Sequence, residues 1–325
     1  MTPARSRERR NAVLMLLLAN LFWGLSFPVI KAITQLHARL IPGTGTWFSA
    51  VYTVAPRFTL ASLLMLAWHR RRLGRTTRGE VQQGIIMGLF AAAGMLLQND
   101  GLQFTAASTS AFLTQLYAVL IPIWLALRIR HNPGAVVWTC CLLVLAGVGI
   151  LGHFDWRTLH FGRGEWETLF SSLFFMGQIL WLEKKEYAAN DPTRLTFVIF
   201  LTEALVFGAL AAVTAPNAHA IAAPWTSATW VGLTLTLTVL CTIGAFLIMN
   251  TWQPKITATE AGLIYCVEPI FGSVMALFLP AWFSRWGGIV YPNEHLTLSL
   301  LVGGGLITFA NLLIQLRPPP APPAA

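Results

Sequence analysis

Apolar runs of roughly 20 residues, each closed by charge, proline or glycine, recur along the whole chain. They predict ten helices. The first five cover about 12–35, 47–68, 81–102, 107–127 and 134–152, and the second five about 165–183, 194–214, 227–250, 258–279 and 296–316. Only a tight turn separates the third run from the fourth, and likewise the eighth from the ninth. Sliding the chain on itself by about 151–153 residues places Phe22 on Phe175, Gly24 on Gly177, Lys31 on Lys184, Asn99 on Asn250 and Ala107 on Ala258. Each half therefore holds five runs. Because five is odd, the second half must cross the membrane with the opposite topology to the first. The pattern predicts an all-α integral membrane protein of ten transmembrane helices, built as two inverted-topology five-helix repeats at 12–152 and 165–316. A basic segment, 1–11, precedes them, and a Pro-rich disordered tail, 317–325, follows.

Composition narrows the class further. The chain is 55% hydrophobic and only 11% charged, which excludes an ordinary soluble domain. A net charge of +9 would suit a nucleic-acid binder, but the arginines sit beside apolar runs and no nucleic-acid motif accompanies them, so no nucleic-acid partner is expected. Placing both termini in the cytoplasm puts sixteen of the 22 Lys and Arg residues on inner segments and four on outer ones, with Lys31 and Arg57 inside spans. This predicts a multi-pass protein of the plasma (inner) membrane. Cys140, Cys141, Cys241 and Cys266 all fall within runs and form neither a disulfide framework nor a metal spacing. The start has the basic flank of a signal peptide, but its apolar run is too long and lacks a cleavage site, so it reads as a retained helix.

The candidate chemistry lies inside the spans. The run Thr257 to Leu279 carries Glu268 at its middle, where a carboxylate costs roughly 2.5 to 3.5 kcal/mol and calls for a partner, a water-filled cavity or a task. Pro269 follows and predicts a bend beside the charge. On the first helix Asn20, Gly24, Phe27 and Lys31 share a face flanked by Trp23, suiting either a cavity wall or helix packing with a snorkelling lysine. Arg57 is placed to grip a carboxylate substrate or to pair internally with Glu203 or Glu268. Glu203 is then that partner or a proton carrier. Ser110, Thr114 and Tyr117 make a mildly polar stripe on the fourth helix, while Gln98, Asn99 and Asn250 read as backbone caps near the tight turns. Asn20, Trp23, Phe27, Lys31, Arg57, Ser110, Thr114, Tyr117, Tyr265 and Glu268 form the expected substrate site, and Glu268 and Glu203 are the expected coupling groups. No zinc, magnesium, nucleophile or ATP motif occurs, so no cofactor or metal is expected and an intramembrane enzyme is disfavoured.

Four stretches resemble EamA-type members of the drug/metabolite transporter superfamily. They are WGLSFPVIK (Trp23 to Lys31), Arg57 with Phe58, GLQFTAASTSAFLTQLYAVLIP (Gly101 to Pro122) and ITATEAGLIYCVEPIF (Ile256 to Phe271). The last two look like the family's repeated third-to-fourth helix segment. The resemblance implies a ten-helix carrier with cytoplasmic termini that usually exports small metabolites or amino acids. The expected partners are a small-molecule substrate and membrane lipid, and a homodimer stays open. A channel or structural membrane protein is the alternative. The chain departs from the family after the fourth and ninth helices, where a Gly-Glu pair is common. The first half reads LRIRHNP, and in the second Glu294 follows an extra PAWFSRWGGIVYPN whose Trp282, Trp286 and Tyr291 suit a membrane interface over the outer mouth.

Overall fold

The computed structural model describes residues 3–102, 104, 110, 113–129, 132–151 and 162–316. The expectations for the 152–161 loop and the 317–325 tail lie outside them. Among the described residues all regular structure is helical. The first half holds α1 (Pro3–Leu40), α2 (Thr46–Leu73), α3 (Arg78–Gly101), α4 (Tyr117–Ile129) and α5 (Ala135–Leu151). After α6 (Arg163–Leu182) and α7 (Pro192–Thr214) comes a short α8 (Ala218–Ala222). Next, α9 (Ala228–Thr236) runs through a π-helical segment, Leu237–Gly244, into α10 (Ala245–Trp252). The chain closes with α11 (Ala258–Tyr265), α12 (Glu268–Ala276), α13 (Leu279–Gly287) and α14 (Leu298–Leu316).

Each of the ten predicted stretches contains helix. Five described helices are long and apolar enough to cross a membrane: Arg7–Leu40, Thr46–Leu73, Arg78–Gly101, Pro192–Thr214 and the continuous Ala228–Lys255. A sixth follows if Ala258–Ala276 and Leu279–Gly287 count as one bent span, and α4, α5 and α14 add shorter apolar stretches. The bend expected at Pro269 is divided. A tight turn at Cys266 and Val267 breaks the helix just before Glu268, while the sharp 58° bend comes later, between Ala276 and Leu279. Pro269 sits in the first turn of α12, where its missing N–H leaves no bond unmade.

Local sequence explains where several helices begin. Thr77 Oγ1 accepts from Glu80 N at 3.3 Å and Glu80 Oε2 accepts from Thr77 N at 2.7 Å, a reciprocal cap on α3. Thr257 and Glu260 repeat the device on α11, at 3.2 Å in both directions. Asp191 caps α7 by accepting from Thr193 N at 3.0 Å and Arg194 N at 3.1 Å, with Pro192 at the first helical position.

Lipid offers no hydrophobic drive for one helix to seek another, so close approach at small residues carries the packing. Gly24 of α1 is pressed against α12: a Cβ there would lie 2.6 Å from Phe271 Cβ and 2.9 Å from Gly272 N. Gly94 of α3 faces the Phe175 ring of α6, and Gly177 of α6 faces the Phe90 ring of α3. Gly244 meets Phe22 of α1, and Gly147 of α5 approaches Gly303 O of α14. Gly24→Leu is therefore expected to lower stability by about 1–3 kcal/mol through overpacking. Gly208→Leu, at a position with nothing within 4 Å, should leave it unchanged. Thermal melting of the two variants in one detergent checks this.

The ion pairs between elements each join residues that the charge count assigns to one side. On the inner side are Arg9–Glu260 at 2.5 Å, Lys255–Glu8 at 2.7 Å, Arg72–Asp191 at 2.5 Å and Arg194–Glu80 at 2.7 Å. On the outer side Arg163 of α6 bonds Asp100 of α3. Partial burial pushes the Asp191 carboxyl up, but Arg72 and the two α7 amides outweigh it and hold the group below its ordinary 3.8. Since the folded value is depressed, this stabilisation is present above pH 3.8 and is lost as pH falls through the lower folded value. Asp191→Asn should remove that part of the acid dependence, read from melting temperature against pH.

Candidate functional site

Two broken helices pack against each other, and the second of them also packs along the first helix. In the ninth predicted span α11 stops at Tyr265, Cys266 and Val267 form a turn, and α12 starts at Glu268. In the fourth, Leu113 and Thr114 are helical, Gln115 and Leu116 form a turn, and α4 starts at Tyr117. The turns close in the same way, with Val267 N on Ile264 O at 3.1 Å in one and Leu116 N on Leu113 O at 3.3 Å in the other. Tyr117 and Glu268 thus each open the second half of a broken helix. An amide-to-hydroxyl link from the preceding helix braces each break: Gln98 Nε2 to Thr114 Oγ1 at 3.0 Å, and Tyr265 OH to Gln253 Oε1 at 2.8 Å.

Trp23 of α1 lies edge-on to Tyr265 at 5.5 Å and to Phe246 at 5.8 Å, and Phe246, Phe58 and Phe200 pack edge to face beside them. Phe27 abuts Gly272 of α12, and the position of a Gly24 Cβ is 3.1 Å from Glu268 O. Tyr117, buried, lies within electrostatic reach of both Glu268 and Tyr265. The structure thus gathers Trp23, Phe27, Tyr117, Tyr265 and Glu268. Glu268 is half-buried, and its carboxylate makes no hydrogen bond or ion pair among the described residues.

Arg57 corrects one expectation. Its guanidinium is buried, but it pairs with neither Glu203 nor Glu268. Nη2 donates to Cys241 O at 3.0 Å and Nε to Thr242 Oγ1, while Thr242 Oγ1 donates in turn to Leu237 O at 2.9 Å. Both acceptors lie in the π-helical segment, Leu237–Gly244. Both carboxylates still feel the Arg57 charge. Glu203, fully buried on α7, has no hydrogen-bond partner for either oxygen.

Other expected residues lie elsewhere. Lys31 is exposed, with Nζ 5.4 Å from the centre of the buried Tyr291 ring, so Tyr291 does not face the membrane. Lys31 shares a helix face with Asn20 but stands eleven residues along it, about 16 Å away at 1.5 Å per residue. Asn20 Nδ2 turns back on Leu16 O at 2.7 Å, and its Oδ1 is buried without a partner. Ser110 Oγ lies 3.3 Å from Thr168 Oγ1 and belongs to the α6 side. Of the expected backbone caps, Asn99 bonds Met95 O at 2.8 Å, whereas Gln98 and Asn250 bond hydroxyls of other helices, Asn250 reaching Thr196 Oγ1 at 2.9 Å. Gln253 and Thr242 were absent from the expected site, although QP at the end of a span and threonines within one are visible signals.

Residues 10–152 match the model of the EamA-like transporter family. Over 321 residues the chain is 25% identical to an uncharacterized transporter of Archaeoglobus fulgidus, covering 97% of this chain and 89% of that protein. A solved crystal structure superposes with a TM-score of 0.70 at 15% identity, covering 94% of this chain and 96% of the other, a likeness of fold.

Proposed function

We propose that this chain, whose residues 10–152 match the EamA-like transporter family, is a multi-pass membrane transporter that exports small metabolites or amino acids across the inner membrane by alternating access. Two five-helix repeats of inverted topology, 12–152 and 165–316, would rock about a site between them. The observation that carries this reading is the pair of broken helices, with Tyr117 and Glu268 opening their second halves at positions 151 apart. Discontinuous helices in corresponding positions of two halves are a construction used by secondary transporters for midplane sites. The recurring approach of Phe175 to Gly94 and of Phe22 to Gly244 supports the repeat.

In this reading Trp23, Phe27, Tyr117 and Tyr265 contact the solute. Glu268 takes a proton from one side and releases it on the other, and Arg57 sets the field that Glu268 and Glu203 experience. Asn20, Lys31, Ser110 and Thr114 stand outside this inner group and act, if on the solute at all, along its path. The direct test is an export screen in cells overloaded with amino acids, with empty vector as control. Solute release equal to the control for every amino acid tested would overturn amino-acid export.

Topology provides a separate expectation. A cysteine at Phe104 should be labelled by an impermeant reagent from outside and one at Lys255 only from inside, although the two positions follow equivalent helices. The four native cysteines are buried and should contribute little background. Labelling of both from the same side would refute inversion.

A further inference from the structure

We propose that the groove between the outer end of α1 and the segment after α13 binds the headgroup of an anionic phospholipid. The groove is a shallow, open depression of about 380 Å³ lined by Gln35, Ala38, Arg39, Gly288, Ile289 and Val290, with room for more than a bare ion.

The wall is built rather than loose. Arg39 Nη1 donates to Gly287 O at 2.8 Å and Gly288 O at 3.1 Å, holding the end of α13 against α1. Thr229 Oγ1 donates to Trp286 O at 2.8 Å, Ser284 Oγ donates to Tyr291 O at 2.7 Å, and Asn293 Oδ1 accepts from Ala281 N at 2.8 Å. Bonding through Nη1 leaves Arg39 Nη2 and Nε without a partner among the described residues, a fork that matches a phosphate diester. Gln35 Oε1 is buried beside it and is likewise unpartnered among the described residues.

Two features select a lipid over a soluble anion. Ile289 and Val290 give the groove an apolar side, and Val290 is 90% exposed. The 58° bend swings α13 away from the preceding span, and its exposed face carries Trp282, 66% exposed, Arg285 and Trp286, 56% exposed, with Phe283 and Pro280 inward. Exposed indoles beside an unpaired arginine are the residues of a membrane interface, where headgroup phosphates lie. The charges at this corner are Lys31, Arg39 and Arg285 against the exposed Glu294, a net positive balance. A zwitterionic headgroup would bring its own cation to that corner. An anionic one would not.

The test is native mass spectrometry of the full purified chain in detergent containing equal amounts of phosphatidylglycerol and phosphatidylcholine. The wild type should retain phosphatidylglycerol in preference, by about five-fold for one engaged cation near the surface. Arg39→Gln and, separately, Val290→Glu should bring the ratio close to one. Val290→Glu adds a repelling charge at an exposed position, so its melting temperature in phosphatidylcholine should match wild type even if loss of the Arg39 bonds destabilises the other variant. Excess inorganic phosphate should leave the ratio unchanged. Equal retention of the two lipids by wild type, an undiminished preference in Val290→Glu, or displacement of lipid by phosphate would each overturn the proposal.

Discussion

Glu268→Gln is expected to leave folded protein in the membrane at wild-type abundance and to reduce gradient-driven export to background. Glutamine keeps the size of the side chain, and the structure gives the carboxylate no bond that the amide would break. What it removes is the capacity to hold and release a proton at the first turn of α12. There the group is half-buried, follows directly on the Cys266–Val267 break and lies within the field of Arg57. If Glu268 instead only filled space at the break, the variant would transport normally under a proton gradient. Export and membrane abundance measured on the same cells separate the outcomes, and normal driven transport at normal abundance would remove the coupling role. Exchange without a gradient, measured in vesicles, should survive the change, because binding and chain movement do not require the proton.

Arg57→Ala is expected to destabilise the protein by about 3 kcal/mol, since hydrogen bonds to a charged group are each worth about 1.5–3 kcal/mol and two are lost. Thr242→Val removes one of them and should cost about half as much. Combining the two should cost no more than Arg57→Ala alone, because both act on one cluster. Neither Glu203→Gln nor Glu268→Gln should rescue Arg57→Ala, as neither carboxylate is bonded to the guanidinium. Melting curves of the single and double variants supply the cycle. Substantial rescue by either glutamine would restore the ion pair that the charges alone suggest and would reject anchoring to the π-helical segment.

That contrast marks how far the sequence could be read. Hydrophobic run length located the helical stretches, and the ion pairs Arg9–Glu260, Lys255–Glu8 and Arg163–Asp100 each join residues that the cation count expects on a common side. Both signals accumulate over many residues, so local errors average out. Single contacts do not average. Lys31 shares an angular position with Asn20, but a helical wheel discards the axial coordinate, and the lysine ends under Tyr291 instead of beside Glu268. The break before Glu268 was announced by Pro269, whereas the matching break at Gln115–Leu116 is followed by a proline only at Pro122, further along α4. The π-helical turn of LTVLCTIG carries no composition that separates it from an ordinary apolar helix, so the true acceptors of Arg57 were hidden.

The two broken helices are alike in backbone but not in what they present. One opens with a neutral phenol and the other with a carboxylic acid, and the helix before the second contains a π-helical stretch while its counterpart, α3, is continuous. In a carrier whose two states arise by the halves exchanging shapes, identical halves would make those states equal in energy. On the proposed alternating-access reading the exchange would be between unlike parts, so the idle protein should rest unequally in the two orientations, tenfold for every 1.4 kcal/mol of difference. On the same reading, protonation of Glu268 would shift that balance, because position 117 in the opposite half holds tyrosine and no matching acid.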